Sequence, residues 1–163
     1  MTESIRVAVL AGATLTTGLV AGLFFAFSCA VMPGLAGTDD RTLVGAMQSI
    51  NRRILNGWFL GAFLGAPLLL AVAAAAHLGR GGAVLFWTLA ALACYLVTFG
   101  VTVRLNVPLN DRLEVAGPVD GIVDLAEARA RFEAAWVRWN LVRTVSSVAA
   151  FACLVAALLT RSG

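Results

Sequence analysis

Lysine is absent from this chain, and all twelve of its basic residues are arginine. That excludes a lysine Schiff base of the pyridoxal or retinal type. The single histidine, His77, excludes bis-histidine haem, an HExxH zinc site and histidine-clustered copper within one chain. No Asp or Glu falls inside a long apolar run, so a buried acidic proton relay is missing. The three cysteines, Cys29, Cys94 and Cys153, form no CxxC and read as small apolar filler. No GxGxxG follows a strand pattern, and no repeat or low-complexity tract is present.

What the chain does have is apolar length. Of its 163 residues, 60% are hydrophobic and 13% charged, which indicates one integral membrane domain over residues 1–163. Val7–Met32, Trp58–His77, Ala83–Val103 and Leu141–Thr160 are each long enough to cross a hydrocarbon core of about 30 Å as helix. The expected fold is all-α, a four-transmembrane-helix bundle with amphipathic helical extensions before the second and fourth spans. The run before Cys29 is too long for a signal-peptide core, so the first span reads as a retained helix. The net charge of +3 is spread among nine carboxylates without a basic stripe, and nucleic acid is not an expected partner. The lipid bilayer is.

Gly18-x-x-x-Gly22 in the first span and Gly57, Gly61 and Gly65 along the second suggest close packing of these two helices. Pro67 is expected to kink the second. Met32-Pro33-Gly34 is expected to end the first helix, and Asn106-Val107-Pro108 the third, because the residue before proline avoids helical angles. Asp111–Gly121 then reads as loop. Leu43, Met47, Ile50 and Ile54 mark an amphipathic helix over Asp39–Leu55, capped by Asp39 or Asp40. Leu125, Ala128, Phe132, Ala135, Trp139 and Val142 mark a second, running without a breaker into the fourth span. A tight turn, Leu78-Gly79-Arg80-Gly81-Gly82, joins spans two and three.

Connectivity puts the polar residues on one membrane face. Gln48, Arg52 and Asn56 form one stripe, as do Asn140, Arg143 and Ser147 with Trp136 a turn earlier. Tyr95, Thr98 and Thr102 line a face leading to Asn106, and Ser28, Asn51, Asn110 and Trp139 lie at the same end. Arg143 stands inside its apolar run, where a charge at mid-bilayer costs about 2.5–3.5 kcal/mol and less near the interface. Singly, arginine, asparagine and tryptophan are ordinary at helix ends, where they snorkel, cap or anchor. As a set they suggest a site. His77, at the opposite end, reads as interfacial. Nine of the twelve arginines lie in the two long loops and adjoining helix ends. The positive-inside rule therefore predicts a multi-pass protein of the cell membrane with its long loops cytoplasmic and its termini outside.

Four ordered motifs carry a resemblance. They are Phe24-Phe25-Ala26-Phe27-Ser28-x-x-Val31-Met32-Pro33-Gly34-Leu35, Met47-Gln48-x-Ile50-Asn51-Arg52, Val101-Thr102-x-x-x-Asn106-Val107-Pro108-Leu109-Asn110 and Trp136-x-x-Trp139-Asn140-x-x-Arg143. Together they resemble the anthrone oxygenase-like family of small membrane proteins, whose bacterial members are mostly a domain of unknown function. Asn56-Gly57 departs from the Asn-Pro of many relatives. The resemblance implies oxidation of an anthrone-type phenol to a quinone by molecular oxygen, without a conventional cofactor or metal. A developing oxyanion would need cations and donors, which assigns catalytic roles to Arg143, Arg52, Asn140 and Asn106. Asn51, Gln48, Asn110, Trp136, Trp139, Tyr95 and Ser28 would bind the lipophilic substrate, the aromatic members by stacking. Asp111 and Glu133 are candidate bases by location alone. Two other readings use the same residues. One is a carrier or binding protein for a small ligand. The other is a structural subunit of a larger membrane assembly, and a homo-oligomer is compatible with either.

Overall fold

In a computed structural model, which describes residues 2–79 and 82–161, helix α1 (Glu3–Ala26) begins the bundle. It continues through a wide π-helical turn, Phe27–Val31, into α2 (Met32–Ala36). Helix α3 (Asp40–Ile54) lies outside the bundle, and α4 (Gly57–His77) returns through it. Helix α5 (Gly82–Val101) repeats the pattern of the first, passing through a second π-helical turn, Thr102–Asn106, into α6 (Val107–Val115). A short 3-10 turn, Val119–Gly121, precedes the 37-residue α7 (Leu125–Arg161). No strand occurs among the described residues. Four helical stretches are long and apolar enough to cross a membrane. Arg80 and Gly81 of the anticipated hairpin turn lie outside the described residues.

Both expected proline stops are corrected. Met32 and Val107 keep right-handed helical angles (φ −68°, ψ −42° and φ −60°, ψ −49°) although each precedes a proline. A proline inside a helix has no N–H and crowds the carbonyl four residues back. Here the preceding turn widens by one residue, with the Met32 and Val107 N–H groups bonding back five residues to Phe27 and Thr102. The helix runs on. The segment expected to be loop from Asp111 is accordingly helical as far as Val115. Gly117 (φ +95°) ends it in the left-handed conformation that glycine adopts without penalty.

Capping follows the sequence closely. The Asp39 carboxylate accepts the Thr42 N–H at 3.0 Å, which holds the Asp39 carboxyl below its ordinary value. Asn56 Oδ1 accepts from Trp58 and Phe59 N–H and starts α4. Asp124 accepts from Glu127 N–H at 2.8 Å and starts α7.

Helix α1 packs against α4 and α7, and α5 packs against the same two, so α1 and α5 face each other across the bundle. The glycine motif does not make the α1–α4 seam. A Cβ on Gly18 would meet the Phe151 ring of α7 at 2.9 Å, while Gly22, Gly57, Gly61 and Gly65 face open space. The close approach to α4 is at Gly12, against Leu69.

Two cores result. One lies within the bundle, around Leu10, Val20, Phe63, Leu70, Tyr95 and Leu154. The other lies under the cap, where Met32, Leu43, Val44, Met47, Leu113, Phe132 and Trp136 join α2, α3, α6 and α7. Leu15, Leu19, Leu64, Leu68, Phe86, Leu96 and Val145 remain exposed around the bundle, as side chains facing lipid should.

Helix α4 continues through Pro67, which cannot bond the Phe63 carbonyl four residues earlier. The Tyr95 hydroxyl donates to that carbonyl at 2.9 Å. Lipid offers no substitute partner, so Tyr95→Phe should cost about 0.6–2 kcal/mol in thermal unfolding in detergent. Pro67→Ala restores an N–H to the carbonyl, and in that background the Tyr95→Phe cost should nearly vanish. An undiminished cost in the double variant would contradict this pairing.

Candidate functional site

Between the two cores lies a cavity of about 200 Å³. Phe24, Phe27, Phe59, Ile54, Leu55 and Trp136 supply its apolar walls. Asn51, Arg52, Thr102, Asn110, Asp111, Glu114 and Arg143 supply its polar groups. Five of the eleven site residues expected from sequence therefore meet in one space: Asn51, Arg52, Asn110, Trp136 and Arg143.

Arg143 is the centre of this arrangement. Its side chain reaches from α7 between two aromatic rings, with the guanidinium carbon 4.2 Å from the Phe24 centroid and 5.2 Å from that of Trp136. The residue is only 5% exposed and makes no ion pair with a carboxylate among the described residues. Its Nη2 donates to Asn140 Oδ1 at 2.8 Å, and its Nε is buried without a partner. A buried cation left with one neutral acceptor is costly unless something else pairs with it.

Asn140 and Ser28 stand behind the guanidinium. Asn140 Nδ2 donates to the Phe24 carbonyl at 3.1 Å and to Ser28 Oγ at 2.8 Å, and Ser28 Oγ lies 2.8 Å from Thr144 Oγ1. Phe24 closes the last regular turn of α1, and Ser28 lies near the start of the wide turn that follows. One extra residue there rotates the helix beyond it by about 100° relative to a regular one. The second wide turn ends on Asn106, fully buried, with Nδ2 donating to the Trp136 carbonyl at 3.3 Å. Asn106 Oδ1 and, on the cavity wall, Asn51 Nδ2 are buried without partners.

The mouth is charged. Arg52 Nη1 donates to both carboxylate oxygens of Glu114 at 2.9 and 3.0 Å, tying α3 to α6. Both side chains are about half exposed, so this pair belongs to the rim. Trp136 Nε1 donates to Asn110 Oδ1 at 2.8 Å, fixing the indole that forms one wall.

Other expected residues lie elsewhere. Gln48 is a buried strut, donating to the Leu113 and Gly117 carbonyls at 2.9 and 2.8 Å. Tyr95 answers Phe63 inside the bundle, and Trp139 sits under the guanidinium of Arg138, off the cavity. Asn56 is a helix cap. Glu133 pairs with Arg129 at 2.6 Å, and Arg129 also holds Asp40 and the Ala36 and Thr38 carbonyls, clamping the α2–α3 connection. His77 is buried at the far end, its Nδ1 on the Ala73 carbonyl at 2.8 Å. No three His, Cys, Asp or Glu side chains gather as a metal site among the described residues.

Sequence reasoning missed the phenylalanine walls and Glu114. The walls are indistinguishable from lipid-facing phenylalanines in sequence. Glu114 continues the spacing of four through Asn106 and Asn110, which would have pointed to it had the helix been expected to continue.

The fold and cavity define a class: a four-span helical membrane protein with an aromatic-walled cavity around a buried guanidinium that no carboxylate balances among the described residues. Residues 55–153 match the anthrone oxygenase family, and the chain belongs to it. No curated protein and no solved structure matches the chain.

Asn140 has three partners on two helices, so Asn140→Ala should destabilise the protein by about 1–3 kcal/mol. Ser28→Ala should cost less, and the two losses should be sub-additive because they break one network. Strict additivity in thermal unfolding would show that the two side chains act independently.

Proposed function

We propose that this protein is a membrane oxygenase that converts a lipophilic, anthrone-like phenol to a quinone, using molecular oxygen and no bound cofactor. The observation that carries the reading is the Arg143 guanidinium, buried between Phe24 and Trp136 with no carboxylate to balance it among the described residues. A flat aromatic anion would supply both missing interactions, charge to the guanidinium and ring surface to the walls.

The chemistry needs little else. A methylene flanked by two aromatic rings and conjugated to a carbonyl is acidic. Losing its proton gives an enolate whose charge rests largely on the carbonyl oxygen, and Arg143 is positioned to stabilise that oxygen. The electron-rich carbon then reduces O₂. One oxygen atom stays as the new carbonyl, and the other leaves as water with the two hydrogens of the methylene. Asn140 holds the guanidinium from behind, Arg52 stands at the mouth with Glu114, and Asn51 and Asn110 lie on the wall. A cavity of this size is below the roughly 300–1,000 Å³ typical for drug-sized ligands, which favours a compact fused-ring substrate.

Such a substrate would partition into the bilayer, and the exposed apolar belt supports lipid as the protein's solvent. The arginine excess around the cap supports a cytoplasmic location for the cavity end.

Purified protein supplied with an anthrone should consume oxygen and release the quinone. Arg143→Gln should lower kcat/KM about 10²–10³-fold, the loss typical of one oxyanion-stabilising donor. Unchanged turnover in a well-expressed variant would remove Arg143 from the mechanism. Tight anthrone binding without oxygen uptake would instead make the protein a carrier.

A further inference from the structure

We propose that Asp111 is the general base that takes the substrate's C–H proton and passes it to water; the proposal rests on the oxygenase reading above. Two carboxylates border the cavity, Asp111 and Glu114. Both oxygens of Glu114 are occupied by Arg52. Asp111 receives no hydrogen bond and joins no ion pair among the described residues. It is the cavity carboxylate that no cation already engages.

Location adds a second argument. Asp111 also borders a broad open groove of about 1,040 Å³ between α6 and the start of α7, whose lining includes the charged Arg112, Asp124, Glu127 and Arg131. A base facing only the cavity would trap its proton behind apolar walls. One that borders both spaces can load from the substrate and discharge to solvent. Glu133, the other carboxylate suggested by sequence, is paired with Arg129 and lines a different groove with Ser28 and Met32.

The two catalytic groups also come from different walls. Arg143 projects from α7 in the bundle, and Asp111 from α6 in the cap. In an anthrone the carbonyl oxygen and the acidic methylene lie across the central ring from each other. A ring with its oxygen toward Arg143 turns its methylene away from α7. In the step itself a carboxylate oxygen forms a new O–H bond as the substrate C–H bond breaks. The electron pair of that bond stays in the ring and delocalises onto the oxygen facing Arg143. Nothing is oxidised until O₂ accepts electrons from the enolate afterwards.

Because this step precedes oxygen, it can be read without it. Purified protein in detergent is incubated anaerobically with an anthrone deuterated at the methylene, and loss of deuterium to water is followed by mass spectrometry. The wild-type protein should accelerate exchange over buffer, and Asp111→Asn should lower that acceleration about 10²-fold, the scale of a positioned general base. Asp111→Gly should recover part of the rate with added formate, which a purely structural residue would not permit. Wild-type exchange in Asp111→Asn, or wild-type oxygen uptake without any protein-dependent exchange, overturns the base assignment while leaving the oxygenase reading intact. A wild-type protein inert in both exchange and oxygen uptake overturns both.

Discussion

Inside a bilayer no water stands ready to pair a freed backbone carbonyl, so every irregular turn must be answered by protein. Pro33, Pro67 and Pro108 all lie within helices here. Each disturbs the ladder of bonds behind it, and near each disturbance a neighbouring helix contributes a polar side chain or receives one. Tyr95 of α5 reaches the Phe63 carbonyl behind Pro67. Asn140 of α7 reaches the Phe24 carbonyl and Ser28 at the first wide turn. Asn106, within the second wide turn, reaches the Trp136 carbonyl of α7. The bundle is thus joined by specific polar contacts where apolar contact with lipid would be equally favourable.

The same irregularities make the cavity. Widening the turns carries α1 and α5 onward into α2 and α6, which give the bundle a lid with its own apolar core around Met47, Leu113 and Phe132. The space between that lid and the membrane core is where Arg143 ends. Phe24 and Trp136 flank the guanidinium, Asn140 accepts from it, and the Glu114 carboxylate at the rim is already taken up by Arg52. One side chain, Asn140, thus both ties α7 to α1 and holds the guanidinium.

Residue by residue, legibility depended on whether the signal was periodic or relational. The four spans, the amphipathic α3, the long α7 and the caps at Asp39 and Asn56 were all readable, because length, spacing and capping chemistry are local. The gathering of polar helix ends on one face came from connectivity alone. The proline stops misled, since a helix can absorb a proline by widening rather than ending. Gly18-x-x-x-Gly22 misled about its partner, because a small residue says that something approaches and not what does. Gln48 and Tyr95 carried the same polar signal as Arg143, yet their partners are backbone carbonyls.

By itself the sequence determined that four apolar helices cross and return, and that arginine and asparagine collect where they emerge. Hydrophobic length and 3.6-residue periodicity are properties of each segment alone. Only the tertiary structure decided which of those polar groups find partners and which are left facing a shared space. Pairing depends on how each helix is rotated against its neighbours, which no segment encodes alone, and the wide turns before α2 and α6 alter that rotation for two of them.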